Sequence, residues 1–308
     1  MAMTGVLRPG HAQIRVMDMD EAIHHYRDVL GLIEAGTDKQ GRVYLRAWDE
    51  RDHHSLILRK ADRAGIDFFA FKVANAETLK KLDSDLRAYG VKTEKIPAGE
   101  LLETGERIRF EIASGHQIEL YAEKAKIFAP HQLLNPEAWS PQQDKGIAPL
   151  RLDHCLLYGP DIEKVQKLFE EVLGFFLVEH IEIEPGNDLA IWLSTSTKAH
   201  DIAFVRHPEP GKLHHISFLL DSWEKVLRAA DIMSVSRVSI DIGPTRHGVT
   251  RGTTIYAFDP SGNRFETFSG GNYGYPDWEP IKWTMDEVGA AVFYHDRKLN
   301  EAFLSVVS

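Results

Sequence analysis

At 308 residues the chain is long for one ordinary domain and suits two of roughly 150 each, either able to bury its own core. Its 36 Lys and Arg against 46 Asp and Glu give a formal charge of -10, which speaks against a nucleic-acid partner, because phosphate binding needs clustered cations. The composition, 43% hydrophobic and 27% charged with no low-complexity tract, is that of a globular enzyme, and Cys155 as the only cysteine rules out an intrachain disulfide. Met1 to Asp20 hold no apolar core of signal-peptide length and no run approaches the ~18 residues of a membrane span, so the expected location is cytoplasmic.

Taken in order, Gly10 to Val16 alternates like a strand, and Met19 to Leu30 carries apolar residues at helical spacing before stopping at Gly31. Strand patterns follow over His54 to Leu58 and Asp67 to Phe71, then a helix from Asn75 to Tyr89 ending at Gly90. Arg107 to Glu111, a Ser114-Gly115 turn and His116 to Tyr121 read as a hairpin.

From Leu152 the same order returns. His154 to Tyr158 is a strand, Asp161 is placed to cap a helix through Val165, Leu168 and Leu173, and Gly174 ends it. His11 to His154 and Gly31 to Gly174 are both spaced by 143 residues. His54 to His200 is spaced by 146, and Asp67 to His214 and Glu119 to Glu266 by 147. One module is therefore written twice. The spacing predicts two similar α+β halves, 1–122 and 150–270, with helices on one face of curved mixed sheets. The linker 123–149 holds Pro130, Asn135, Pro136 and Pro141, and a tail, 271–308, carries a short helix from about Met285 to Ala302 over the second half.

Leu213 to Phe218 carries the chemistry. Alternation turns His214, Ile216, Phe218 and Leu220 to one, apolar side and His215, Ser217 and Leu219 to the other. With His154 on the first strand of the second half and Glu266 on its last, His215 completes a set of two imidazoles and a carboxylate. Such a set leaves coordination positions free, which suits a non-haem Fe(II) and is also tolerated by Zn or Mn. The first half keeps His11 and Glu119 but has Phe68 in place of His215, so one metal site per chain is expected, in the C-terminal half. His200, His247 and Tyr256 fall near the site and have the acid-base chemistry to move a proton near neutral pH.

Arg8-Pro-Gly-His11, Ser196-Thr-Lys-Ala-His200, Leu213-His-His-Ile-Ser-Phe218, Asp241-Ile-Gly-Pro-Thr-Arg-His-Gly248, Asp259-Pro-Ser-Gly-Asn-Arg264 and Phe293-Tyr-His-Asp-Arg297 together resemble the catechol 2,3-dioxygenase family, extradiol ring-cleaving enzymes of the vicinal oxygen chelate superfamily. The similarity runs essentially end to end. It implies two barrel-like domains, each a pair of βαβββ modules, with Fe(II) held by His154, His215 and Glu266 in the C-terminal one, and a homotetramer. It implies that His200, His247 and Tyr256 act beside the metal and that Trp192, Val249, Thr250, Val292 and Phe303 line the ring pocket. The implied substrates are O2 and catechol or its ring-substituted forms, cleaved beside the diol to 2-hydroxymuconate semialdehyde. A bicyclic diol such as 2,3-dihydroxybiphenyl is the close rival. A glyoxalase-type isomerase, which would want a fourth protein ligand, and a binding module without the triad are more distant ones.

Overall fold

The computed structural model describes residues 4–127, 135 and 137–308. Pro130 and Pro136 of the expected linker lie outside them. The N-terminal half consists of β1 (Val6–Val16), β2 (Ile33–Thr37), β3 (Val43–Arg46), β4 (Leu56–Lys60), β5 (Gly65–Val73), β6 (Thr93–Ile96), β7 (Arg107–Glu111) and β8 (Gln117–Tyr121). The C-terminal half adds β9 (Arg151–Gly159), β10 (Phe176–Glu184), β11 (Asn187–Ser194), β12 (Ile202–Arg206), β13 (Lys212–Leu219), β14 (Ser239–Arg246), β15 (Gly252–Phe258) and β16 (Arg264–Gly270). A last strand, β17 (Ile281–Thr284), joins the second sheet beside β10.

The strands form an eight-stranded sheet in the order β2-β3-β4-β1-β5-β8-β7-β6 and a nine-stranded one in the order β14-β15-β16-β13-β9-β12-β11-β10-β17. Apart from β17, the second order is the first read backwards with each strand replaced by its repeat partner. Each half is two strand-helix-three-strand modules joined where β1 meets β5, or β9 meets β13, antiparallel. The α+β reading of two alike, curved halves therefore holds.

Helices α1 (Met19–Ile23), α2 (Ala76–Ala88), α3 (Ile162–Glu171) and α4 (Trp223–Val235) cover the outer face of the sheets. Val165, Leu168 and Phe169 of α3 join Cys155, Leu157 and Phe204 in one buried cluster, each large side chain contributing about 1.5–3 kcal/mol by leaving water. Helix α1 passes directly into a π-helical stretch, His24–Val29, so the expected helix to Leu30 exists with its last turns widened. Asp161 does not cap α3 with its side chain: it sits in the left-handed region and its carboxylate pairs with Lys164.

The tail departs most from expectation. A short 3-10 turn, Met285–Glu287, leads into α5 (Val288–Val292), and a separate helix α6 (Glu301–Ser305) follows, so no continuous helix spans 285–302. The linker is tied down at its end, where Ile147 and Ala148 donate to the carbonyls of Val29 and Leu30. Gly31 is needed there: at φ +86 it meets Lys145 so closely that a Cβ would stand 2.0 Å from the Lys145 carbonyl oxygen.

The halves dock reciprocally through the same hairpin turn. In the second half, Asn263 donates to the carbonyl of Arg15 and accepts from the amide of Gly65. In the first half, His116 bonds the carbonyl of Lys212 at 3.0 Å and Ser114 accepts from the amide of Gly211. Among the described residues no helix is long and apolar enough to cross a membrane.

Candidate metal centre

Strands β9, β13 and β16 lie side by side, and their register sets His154, Ser217 and Glu266 in one row. His215 stands one inward step along β13. All three sequence-predicted ligands are buried on the inner face of the sheet, and one donor atom from each lies within 4.8 Å of the others. His154 Nε2 is 3.0 Å and His215 Nε2 3.4 Å from Glu266 Oε2. Two bonds of about 2.1 Å meeting at right angles span about 3 Å, so these separations fit donors around one ion. His215 Nε2 makes no hydrogen bond, and a buried lone pair without a donor is the kind of group a cation satisfies.

Each donor is oriented from behind. Asp153 Oδ2 is 3.1 Å from His154 Nδ1, and Lys198 neutralises that carboxylate from 3.1 Å. Ser217 Oγ donates to Glu266 Oε2 and Thr254 Oγ1 to its Oε1. These supports fix ring and carboxylate orientation as outer partners of metal ligands do. Sequence reasoning missed Asp153, Lys198 and Thr254, although Asp153 directly precedes a ligand. Ser217 shares the face of His215, a signal that alternation already carried.

Burial alone would raise the Glu266 carboxyl, but the His154 ring nitrogen 3.0 Å away and the close approach of His215 hold it well below the usual carboxylate range. Burial likewise disfavours a charged His154, yet its bonds to Asp153 and Glu266 outweigh that and raise it. His215 falls to about 4, with burial the main cause and Glu266 only partly opposing it. The site is thus an anionic carboxylate facing two imidazoles, a donor set suited to a divalent cation.

The residues expected beside the metal are gathered there. The His200 ring lies 4.0 Å from that of His154, centroid to centroid. His247 Nδ1 bonds the carbonyl of Val292, and its Nε2 is 2.8 Å from the Tyr256 hydroxyl. Burial, then the charge of His154 and Lys198, pushes His200 well below its ordinary value, and burial lowers His247. Burial and the charge of Glu266 raise Tyr256 well above its own. At neutral pH the set is two neutral imidazoles and a phenol.

These groups open on a cavity of ≈ 480 Å³ whose wall includes Trp192, Val249, Thr250, Val292 and Phe303, all five expected pocket residues. One expectation fails. The pairing of β13 with β9 skips from Leu213 to His215, so His214 is the extra residue of a β-bulge and lines the cavity instead of lying under the helices. Strict alternation resumes beyond it, where Ile216 and Phe218 enter the helix-covered core.

Paired βαβββ modules with a two-histidine, one-carboxylate cluster on one inner face define a metal-dependent member of a broad superfamily. Residues 151–267 match the glyoxalase/bleomycin resistance protein/dioxygenase superfamily, and residues 66–125 match the catechol 2,3-dioxygenase-like N-terminal domain. The chain is 54% identical to a metapyrocatechase of Pseudomonas sp. (strain CF600), over 99% of each chain. It is 32% identical to a manganese-dependent 2,3-dihydroxybiphenyl 1,2-dioxygenase of Geobacillus genomosp. 3, over 93% of this chain and 92% of that one. The 2,3-dioxygenase LapB from Pseudomonas sp. KL28 superposes with a TM-score of 0.90 at 65% identity, covering 92% of this chain and 99% of that one. The chain belongs to the catechol 2,3-dioxygenase, or metapyrocatechase, family.

Proposed function

We propose that this protein cleaves catechol and ring-substituted catechols beside the diol, using O2 and a ferrous ion, to give 2-hydroxymuconate semialdehyde. The observation that carries the reading is the convergence of His154, His215 and Glu266 on one point of a largely apolar cavity. When bound, Fe(II) supplies a Lewis acid for the two vicinal oxygens and a redox partner between the electron-rich ring and dioxygen. Both oxygen atoms enter the product and the substrate supplies all the electrons, so no external reductant is consumed.

The chain's own residues handle the protons. With Nδ1–H donated to the Val292 carbonyl, His247 presents an Nε2 lone pair to the Tyr256 hydroxyl. Tyr256 then has an oxygen lone pair for a diol O–H, and a proton leaving the diol can pass along Tyr256 to His247. His200, kept neutral by burial, offers an N–H to the negative charge that develops on dioxygen and delivers the proton that O–O cleavage needs. Trp192, Val249, Thr250, Val292 and Phe303 hold the ring and keep water from it.

The identity of the ion as Fe(II), a catalytic unit of 150–270 with the tail 271–308 over it, a metal-free unit of 1–122 with the linker 123–149, a homotetramer and a cytoplasmic location belong to the same proposal. The test is anaerobic loading with Fe(II) or Mn(II), then addition of catechol or 2,3-dihydroxybiphenyl in air. Yellow ring-opened product with one O2 taken up per catechol, and faster turnover with Fe(II), is expected. Preference for the biphenyl diol would replace the substrate, and no product from either diol would end the reading.

A further inference from the structure

The bulged histidine is built into the molecule more firmly than a wall residue needs to be. His214 is buried, and its Nδ1 stands 2.6 Å from Nδ1 of the neighbouring ligand His215. On its other side Nε2 is 3.3 Å from the carbonyl oxygen of Phe303 in α6. Its ring stacks on Tyr158 at 4.9 Å and meets Phe303 edge-on at 4.8 Å.

Hydrogen-bond logic fixes the direction of this chain. The Phe303 carbonyl can only accept, so His214 Nε2 carries its proton and Nδ1 is left as an acceptor. His215 must then donate from Nδ1, which leaves its Nε2, the nitrogen that faces Glu266, free of a proton and ready to coordinate. A carbonyl in the tail thus sets the tautomer of a metal ligand through one intervening imidazole.

The tail is anchored at the same place. Leu213 and Ser308 exchange both backbone hydrogen bonds, so the last residue pairs with β13 next to the bulge. The buried Arg264 donates to the carbonyls of Val306 and Phe303. The first half supplies the contrast. Its pairing of β5 with β1 carries the same bulge at Asp67, 147 residues earlier, but Asp67 bonds Gln13, Arg15 and Arg59 within that half, and the residue after it is Phe68.

We propose that His214 is a positioning residue that couples the metal ligand His215 to the C-terminal segment, so that docking of residues 301–308 over the cavity sets the affinity of the metal centre. The proposal rests on the reading that the triad holds a metal. It assigns a further role to α6, whose Phe303 also lines the substrate cavity.

The test is Mn(II) affinity of the full chain under anaerobic conditions, read by electron paramagnetic resonance rather than by turnover. His214→Phe keeps the ring packing on Tyr158 and Phe303 but removes the acceptor, and affinity should fall about 10–100-fold, the usual loss for an outer partner of a ligand. His214→Asn places an amide oxygen where Nδ1 stood and should recover most of it. Removing residues 301–308 should cost a similar factor, and in the His214→Phe background should cost little more, since both changes break one chain of bonds. Unchanged affinity in His214→Phe, no recovery in His214→Asn, or full additivity with the truncation would overturn the coupling. A wild-type chain that binds no Mn(II) would instead sink the metal-centre reading itself.

Discussion

Glu119 and Glu266 occupy the same place on the last strand of their halves, yet their surroundings are opposite. Both oxygens of Glu119 are taken by Arg107 and Arg109, whereas the residues at those two positions in the second half are Thr254 and Tyr256. In the first half His11 lies 4.0 Å from Glu119 and 3.0 Å from Lys124 Nζ. Lys124 comes from the segment after β8, and the position 147 residues on is Gly271. The barrel interiors differ in the same sense: where the second half has Tyr158, Ala190 and Val205 facing its cavity, register and offset place Arg15, Arg42 and Arg59, paired with Asp67, Asp38 and Glu100. One fold is closed by ion pairs, the Arg107–Glu119 pair buried and those of Arg15, Arg42 and Arg59 partly exposed, and the other is hollow. A buried carboxylate needs a counter-charge, and the two halves supply it from different sources: side chains in the first, and in the second a donor set that leaves room for an ion.

The largest effect should come from making the second half resemble the first at a single position. His215→Phe removes one of three ligands, and metal affinity should drop by roughly a thousandfold or more, taking ring cleavage below detection. Metal content after gel filtration and O2 uptake with catechol measure it. Retention of one tightly held ion per chain would mean that the centre lies elsewhere. The next change spares the ligands. His200→Phe should keep metal and bind catechol anaerobically, yet lose roughly 10²–10⁴ in turnover, the range for removing a general acid. Wild-type kcat in that variant would contradict the role given to His200.

The repeat and the gathering of His154, His215 and Glu266 could be read from the chain because both depend on local period or on equal spacing between the copies. What escaped reading depends on partners far away. The bulge at His214 exists only against the register of β9, so alternation along β13 alone put that ring on the wrong face. Lys124 lies where the sequence suggests a linker, and nothing local says that it reaches His11. The tail was expected as one short helix from about Met285 to Ala302, but the helix breaks between α5 and α6, where Val292 and Phe303 face the cavity from separate helices.

The seam between the halves offers a smaller and broader effect. His25 packs edge-on against Phe265 of the other half at 4.9 Å, and His116 bonds the Lys212 carbonyl. Burial lowers both imidazoles from 6.5 to about 4. Folded-state values below the unfolded one mean that the unfolded chain takes up protons first as pH falls. Stability is therefore complete above about 6.5 and declines down to about 4, by at most about 3 kcal/mol for each fully buried histidine. Urea midpoints of the metal-free chain between pH 4 and 8 should show that slope. His116→Asn, which copies Asn263 at the matching turn of the second half, should flatten part of it, and an unaltered slope would place the acid sensitivity elsewhere.

The smallest expected effect sharpens the comparison most. Phe68→His restores the missing imidazole to the first half, but the new ring would stand beside the Arg109 guanidinium, which lies 5.0 Å over the Phe68 ring, and opposite a carboxylate already bonded to Arg107 and Arg109. Metal content should stay at one ion per chain, with a stability loss of about 1–3 kcal/mol from burying a polar ring whose neighbouring carboxylate is already taken. Only when the internal cations are removed as well, in Phe68→His combined with Arg107→Thr, Arg109→Tyr and Lys124→Ala, should the carboxylate become free to attract a second ion. A second equivalent of Mn(II) in the single variant would show that the absent histidine alone separates the halves. No second equivalent in the combined variant would show that the geometry of the first half, and not its charge, keeps metal out.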